Sequence, residues 1–353
     1  MTKTAPLFVT NFNKNFTGVS ATAAGVVRAQ AKDMDLRLVG RPLPDCPQPI
    51  DLRSARALSR NAPDGYPFAI WHVRRNTEMR AALWARDVLR LPIRIVFTSA
   101  AQRRHSAFPR WLISRMDAVI ATTDAAAVYV PHVRAVVPHG VDTQAFCPAQ
   151  NRAEAWAETG HAGNRGVATV GRIRPEKGTD QFVDTMIRVL PDHPDTTALV
   201  IGRAGGSHET FLADLKARVA TAGLSERILF CGELEPNELR KVMRGLSLLV
   251  PLPRYEGYGM TPLEAMASAV PFVATDTGYF SAFSSDGTAG EVVSLGDVDG
   301  AVAKVNALLS NPDRLEVMSN RAVEVARESY GIQTEVDGIN AVYHQLWEEA
   351  GRS

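Results

Sequence analysis

The most constraining stretch of the chain is the apolar run 246–252, followed by Arg254-Tyr-Glu-Gly-Tyr-Gly-Met-Thr-Pro-Leu-Glu-Ala-Met-Ala-Ser-Ala-Val-Pro271. The run reads as a buried strand. Gly257 and Gly259 then permit a tight turn close to a ligand. Thr261 is placed to cap a helix with Pro262 in its first turn, and that helix ends before Pro271. The unpaired N–H groups at its start make a site for a phosphate-bearing ligand. Glu256 falls before the helix and Glu264 inside it, eight positions later. The two carboxylates therefore approach one small molecule from different sides. The plainer alternative is that strand, turn and helix are the ordinary unit of any α/β domain, with glycines that only shape the turn.

The same unit recurs along the chain. In the first half, residues 7–12 read as a strand, 13–19 as a polar loop carrying Lys14 and Gly18, and 20–32 as an alanine-rich helix. This is the opening of a doubly wound domain, in which ligands bind at the carboxyl ends of the strands. It is not a G-x-G-x-x-G fingerprint, so a dinucleotide is not supported. Residues 41–67 form an excursion with one helix near 52–59. The strand 68–72 ends in His72, Arg74 and Arg75, a cluster suited to gripping a carboxylate or phosphate in fork geometry; the two arginines can equally be solvated residues opening a helix at 77–89. After a strand at 94–98, His105 lies in a loop beside Arg103 and Arg104, at the end of the sheet where ligands sit.

In the second half, Gly171-Arg-Ile-Arg-Pro-Glu-Lys-Gly178 follows the strand 166–170, so that Arg172 and Lys177 straddle a turn. A departing diphosphate needs positive charge where negative charge develops, and these two residues supply it without a metal. The strand 197–201 ends in Gly202 and the strand 227–232 in Gly232, with Leu234 close behind. Residues 149–165 read as a polar interdomain connection. The last helix, 334–349, carries one apolar face and is a candidate to return to the first domain.

With 353 residues the chain exceeds the size at which a single core stops growing. We expect an N-terminal domain over 1–150, a C-terminal domain over 151–333 and a final helix in 334–353. Hydrophobic residues make up 45% and charged residues 22%, the balance of a globular protein. Cys46, Cys147 and Cys231 lie far apart and form no metal-ligand cluster. With no signal-like or bilayer-length segment, they point to the cytoplasm. Residues 1–150 hold 20 Lys/Arg against 10 Asp/Glu, and the remainder 19 against 28. The first half is thus suited to an anionic acceptor or membrane surface. No motif supports nucleic-acid binding, and no obligate protein partner is evident.

The 254–271 stretch resembles the signature of retaining nucleotide-sugar glycosyltransferases of family four, which have the GT-B fold. Their pattern is Glu, seven residues, Glu, opening on Glu-Gly-Phe-Gly and closing on Glu-Ala-Met-Ala. Here Tyr258 replaces the Phe, and Ala269 stands where Gly is usual. Gly171-Arg…Lys177-Gly resembles the family's phosphate motif, and Pro138-His-Gly-Val-Asp142 its linker element. The resemblance implies two Rossmann-like doubly wound domains facing a cleft. The donor would be held by Gly257, Tyr258, Gly259, Met260, Thr261, Gly18, Gly202, Gly232 and Leu234, with Glu264 on the ribose hydroxyls. Arg172 and Lys177 would stabilise the leaving diphosphate, Glu256 the sugar's oxocarbenium-like centre, and His105 would touch the transferred sugar.

Within the family, the segments 71–75 and 102–105 look most like lipopolysaccharide core mannosyltransferases. That implies GDP-mannose as donor, no metal, and an anionic lipid-linked glycan acceptor met by Lys14, His72, Arg74, Arg75, Arg103 and Arg104. The mixture of Arg103, Arg104, Phe108, Arg110, Trp111 and Arg115 suits transient contact with the anionic cytoplasmic face of the inner membrane; the alternative is that several of those aromatics are core. A UDP-sugar donor with another acceptor is the alternative, and a non-catalytic sugar-nucleotide binding protein is a third reading.

Overall fold

The structure is a computed structural model describing residues 4–15 and 17–351. In chain order the elements are β1 (Leu7–Asn11), α1 (Gly18–Gln30), β2 (Leu36–Gly40), α2 (Leu52–Leu58), β3 (Ala69–Val73), α3 (Asn76–Leu83), β4 (Ile93–Ser99), α4 (Ala107–Ile113), β5 (Ala118–Ala121), α5 (Asp124–Ala127) and β6 (Val133–Val136). There follow α6 (Arg152–Ala157), β7 (Arg165–Val170), α7 (Thr179–Val189), β8 (Thr196–Ile201), α8 (Glu209–Thr221), β9 (Ile228–Gly232), α9 (Pro236–Gly245) and β10 (Leu246–Leu249). The chain ends with α10 (Met260–Ala267), β11 (Phe272–Thr275), α11 (Phe280–Ser284), β12 (Gly290–Val293), α12 (Val298–Leu309), α13 (Pro312–Tyr330) and α14 (Ile332–Gly351).

Two compact units result. The first joins Met1–Gly140 with Tyr330–Ser353, and the second is Val141–Ser329. Each holds one parallel sheet, ordered β2-β1-β3-β4-β5-β6 in the first and β12-β11-β10-β7-β8-β9 in the second. Strands β1, β3, β5, β8, β10 and β11 are buried along their whole length. That is the burial of a parallel sheet covered by helices on both faces. Two doubly wound α/β domains are therefore present.

Strand order also places the ligand sites. In an open α/β sheet, ligands bind outside the carboxyl ends of the strands where the order reverses. The reversal falls between β1 and β3 in the first unit and between β7 and β10 in the second.

The first unit is closed by the chain's own end. Helix α14 buries Val336, Ile339, Val342, Tyr343, Leu346 and Trp347 on one face, at helical spacing. Those side chains join Leu7, Val9, Ile70, Val96 and Ile120 in one core. Trp347 donates to the Phe68 carbonyl at 3.1 Å, and Gln30 donates to Asn340 at 2.7 Å.

Some elements depart from the sequence reading. Residues 149–165 are not simply a linker, because they contain α6. Asn151 caps that helix through the N–H groups of Ala153 and Glu154, and Trp156 is fully buried. Strands β6 and β12 and helix α11 were not anticipated; each is four or five residues long, too short for periodicity to show. No helix among the described residues is long and apolar enough to cross a membrane.

Candidate functional site

The second unit's site is built from the loops after β7 and β10, the strands that flank the reversal. The turn after β10 enters α10 through Gly259, whose φ of 93° is left-handed. A Cβ there would lie 2.1 Å from the Phe280 ring, so glycine is required on both counts. Thr261 is therefore not the cap, as expected from the sequence: Gly259 holds that position, and Thr261 sits one residue inside the helix. The N–H groups of the first turn still point out of its amino end and keep their affinity for an anion.

Tyr258 also needs correction as a ligand group. Its ring is buried, stacked on Tyr279 at 5.4 Å and edge-on to Phe283, so only its backbone faces the turn.

Two ion pairs tie this loop to the one after β7. Arg254 grips Asp180 with both terminal nitrogens, at 2.8 and 2.7 Å. This fork, which the sequence reading missed, holds Arg254 protonated and leaves Asp180 below its usual range although burial works the other way. Lys177 Nζ meets Glu256 Oε2 at 2.5 Å. Glu256 Oε1 also accepts from the Gly257 N–H at 3.1 Å, and the Glu256 N–H donates to Thr277 Oγ1 at 3.1 Å. Arg172 is exposed in the same loop, with no ion pair among the described residues.

Glu264 is partly exposed on α10, and burial pushes its carboxyl up to about 7. Next to β7, Gly202 ends β8 with its N–H on the Gly232 carbonyl at 2.7 Å. A Cβ on Gly202 would lie 1.8 Å from the Gly171 oxygen, so the loops after β7, β8 and β9 approach as closely as backbones can. Gly232 and Leu234 are partly exposed at this edge. Thus Arg172, Lys177, Gly202, Gly232, Glu256, Gly257, Gly259, Met260 and Thr261 gather at one end of one sheet.

The first unit treats its expected residues differently. A depression of about 670 Å³ is lined by Phe12, Lys14, Asn15, Arg75, Asn76 and Thr77, at the β1–β3 reversal. Lys14 is exposed there, and Gly18 opens α1 with open space where a Cβ would be. His72 cannot meet an acceptor, because it is fully buried with both ring nitrogens engaged, Nδ1 by the Tyr343 hydroxyl and Nε2 by Thr98 Oγ1 at 2.7 Å. Burial, and then Arg74 and His139, hold its imidazole well below the usual range.

Arg74 is 9% exposed and enclosed in the same core. Arg75 spends its terminal nitrogens on Asn11 and Glu78, both at 3.0 Å, and on Thr17 and Ser20 at 3.3 and 2.8 Å. The expected fork grip on an acceptor is thus replaced by a clamp on the loop before α1. The hub of that clamp, the fully buried Glu78, was missed because a lone acid at a helix start reads as solvated. It also accepts from Thr10 Oγ1 and the Phe12 and Arg74 N–H groups.

Glu335 was missed in the same way. It accepts from the Gly140 N–H and pairs with His139 Nδ1, both at 2.7 Å.

His105 is partly exposed in the loop after β4, and its Nε2 is buried without a hydrogen-bond partner among the described residues. Burial and then Arg103 hold its imidazole below the usual range. Arg103 and Arg104 are exposed beside it. On α4, Phe108 and Trp111 are 52% and 57% exposed and stacked at 6.3 Å. No group of three or more His, Cys, Asp or Glu side chains among the described residues is placed to hold a metal ion.

Known proteins resemble this chain over most of its length. Residues 133–325 match the family described as "Glycosyl transferases group 1". The chain is 41% identical, over 95% of its length and 96% of the relative's, to the lipopolysaccharide core biosynthesis mannosyltransferase LpsB of Rhizobium meliloti (strain 1021). It is 37% identical, over 95% of both chains, to the lipopolysaccharide core biosynthesis mannosyltransferase LpcC of Rhizobium leguminosarum bv. viciae. Among solved structures, the C-terminal domain of a glycosyl transferase group 1 family protein (LpcC) from Francisella tularensis superimposes with a TM-score of 0.53 at 34% identity. That match covers 55% of this chain and 100% of the other.

Proposed function

The chain belongs to the glycosyl transferases group 1 family, and on that premise we propose that it moves mannose from GDP-mannose to the inner core of a lipopolysaccharide, keeping the anomeric configuration. The observation that carries this reading is the near full-length likeness, at 41% identity, to a relative named as a lipopolysaccharide core mannosyltransferase.

The second unit's loops are assigned to the donor. The diphosphate lies on the N–H groups of Met260 and Thr261, with Arg172 and Lys177 neutralising charge as it departs. The backbones of Gly257 and Gly259 leave room for it, and the carbonyl side of Tyr258 shapes the same turn. Gly202, Gly232 and Leu234 frame the nucleoside, and Glu264 accepts from the ribose hydroxyls. Glu256 bonds the sugar's hydroxyls and favours the positive charge that builds on its ring. Its partner Glu264 serves the nucleotide, so the pair does not flank one glycosidic bond as two glycosidase carboxylates do. The departing phosphate takes the acceptor hydroxyl's proton on the same face, and no protein nucleophile is needed.

His105 is assigned to the transferred sugar, Gly18 to the donor phosphates, and Lys14, Arg103 and Arg104 to an anionic lipid-linked glycan. The exposed Phe108–Trp111 pair, with Arg110 and Arg115 nearby, suits transient docking on the anionic cytoplasmic face of the inner membrane.

The test is a transfer assay read by mass spectrometry, with GDP-mannose and UDP-sugars each offered alongside a Kdo-containing lipid acceptor. A gain of one hexose from GDP-mannose alone is expected. Product from a UDP-sugar and none from GDP-mannose would overturn the mannose reading.

A further inference from the structure

At the other end of the second unit's sheet, three arginines face one cavity. Parallel strands put all their amino ends on one side, and Arg165 opens β7 while Arg244 lies two residues before β10. Arg152 opens α6 and donates to the carbonyl of Ala269, three residues before β11. These three strands are neighbours, in the order β11-β10-β7. The six residues of β7 separate this end from the Gly171 turn by roughly 17 Å, at about 3.3 Å per residue. The cavity holds about 460 Å³ and is also lined by Gln150, Ser268, Glu316 and Ser319.

The electrostatics are unusual for this half of the chain, which is acidic overall. None of the three guanidinium groups has a carboxylate within ion-pair distance among the described residues. Each spends one bond internally: Arg152 on the Ala269 oxygen, Arg165 on the Leu309 oxygen at 2.7 Å, and Arg244 on the Cys147 sulfur at 3.2 Å. Arg244 Nε is buried with no hydrogen-bond partner among the described residues. The one acid lining the cavity is Glu316, which is exposed. Burial lowers the Arg152 pKa, with Glu316 opposing the shift. Three partly desolvated cations gathered at a cavity, with most of their donors unspent, repel one another unless an anion joins them.

We propose that this cavity is a second anion site, which takes a compact phosphate monoester between Arg152, Arg165 and Arg244. Guanidinium groups match phosphate oxygens in bidentate fashion, and the volume admits a phosphate with a small organic group attached. A bound phosphate would join α6, the start of β7 and the end of α9.

The test uses the full chain and inorganic phosphate, followed by calorimetry at constant ionic strength. Because the donor loops also attract phosphate, binding is compared in Arg172→Ala/Lys177→Ala, Arg165→Gln and Glu316→Gln. Binding that survives in the first variant, weakens at least tenfold in Arg165→Gln and tightens about threefold in Glu316→Gln supports the site. Glu316 is exposed, so its substitution leaves a folded protein even if Arg165→Gln does not. Phosphate binding lost in Arg172→Ala/Lys177→Ala and unchanged in Glu316→Gln would overturn it, as would no binding to the unaltered chain. Further arms with a hexose phosphate and a short-chain phosphatidic acid distinguish a soluble metabolite from a lipid headgroup; competition with inorganic phosphate by either supports the site and identifies its source.

Discussion

Lys177 and Glu256, 79 positions apart in sequence, form an ion pair at 2.5 Å between the loops that follow β7 and β10. The cation assigned to the leaving diphosphate is thus held, without ligand, by the carboxylate assigned to the sugar. A donor reaching this site exchanges one anion for another around Lys177, so that the lysine is already positioned when charge develops. Removing it in Lys177→Ala is expected to lower turnover about a hundredfold, the loss of about 3 kcal/mol seen for a missing oxyanion donor. Steady-state kinetics with donor and acceptor check this, and unchanged kcat in a folded variant would show that the clamp does not act on the transition state.

Glu264 gives the proposed donor site a pH dependence. Its carboxyl is raised by burial from 4.5 to about 7. The folded state therefore holds more protons than the unfolded one between those values, and stability falls as pH rises through that window, by at most about 3 kcal/mol. Donor binding has the opposite sign, because ribose hydroxyls bond the ionised form. If only that form binds, affinity for GDP-mannose rises about tenfold from pH 6 to pH 8. Calorimetry across that range should show the rise in the unaltered chain and a flat profile in Glu264→Gln.

Ala269 closes α10 at φ 60°, a conformation that suits glycine. The left-handed region costs a residue with a Cβ about 1–2 kcal/mol. Glycine recovers that cost but loses about 0.4–1 kcal/mol through its freer unfolded chain. Ala269→Gly is expected to stabilise the second unit by about 0.5–1 kcal/mol, raising its Tm by roughly 1–3 °C. Differential scanning calorimetry measures this directly, and a lower Tm would contradict it.

Phe108 and Trp111 pack on each other and leave about half their surface to solvent. Replacing both with serine should leave thermal unfolding within about 0.5 kcal/mol of the unaltered chain, as for surface substitutions generally. Sedimentation with vesicles rich in anionic lipid should weaken at least fivefold. Equal sedimentation of the two proteins would remove α4 from the membrane proposal.

The sequence carried much of the donor site because its determinants are local. A buried strand, a glycine turn and a helix start lie within 26 residues of one another, from Leu246 to Pro271. Gly259 and Gly202 take positive φ, 93° and 145°, a need that acts within one turn of chain and makes their loops readable, whereas the contacts with Phe280 and Gly171 that also exclude a side chain come from far along the sequence. The first unit's errors arise from distance. His72 and Arg74 end a strand in a polar run that looks accessible, and only α14, some 270 residues later, covers them. Glu335 and Glu78 resemble ordinary solvated helix acids until the backbone N–H groups they satisfy are known. Asn151 before Arg-Ala-Glu was a legible cap signal, outweighed by the polar composition around it.

The second unit is one uninterrupted segment of chain, whereas the first needs residues from both ends. During synthesis the segment with the lower numbers emerges first, yet its core lacks Ile339, Tyr343 and Trp347 until after the whole second unit has been made. Although domains generally fold from the amino terminus, here the amino-terminal unit is the later of the two to have all its residues. A chain cut off before Ile332 would hold every residue of the second unit but lack α14, leaving the hydrophobic face that α14 covers open to chaperones and proteases.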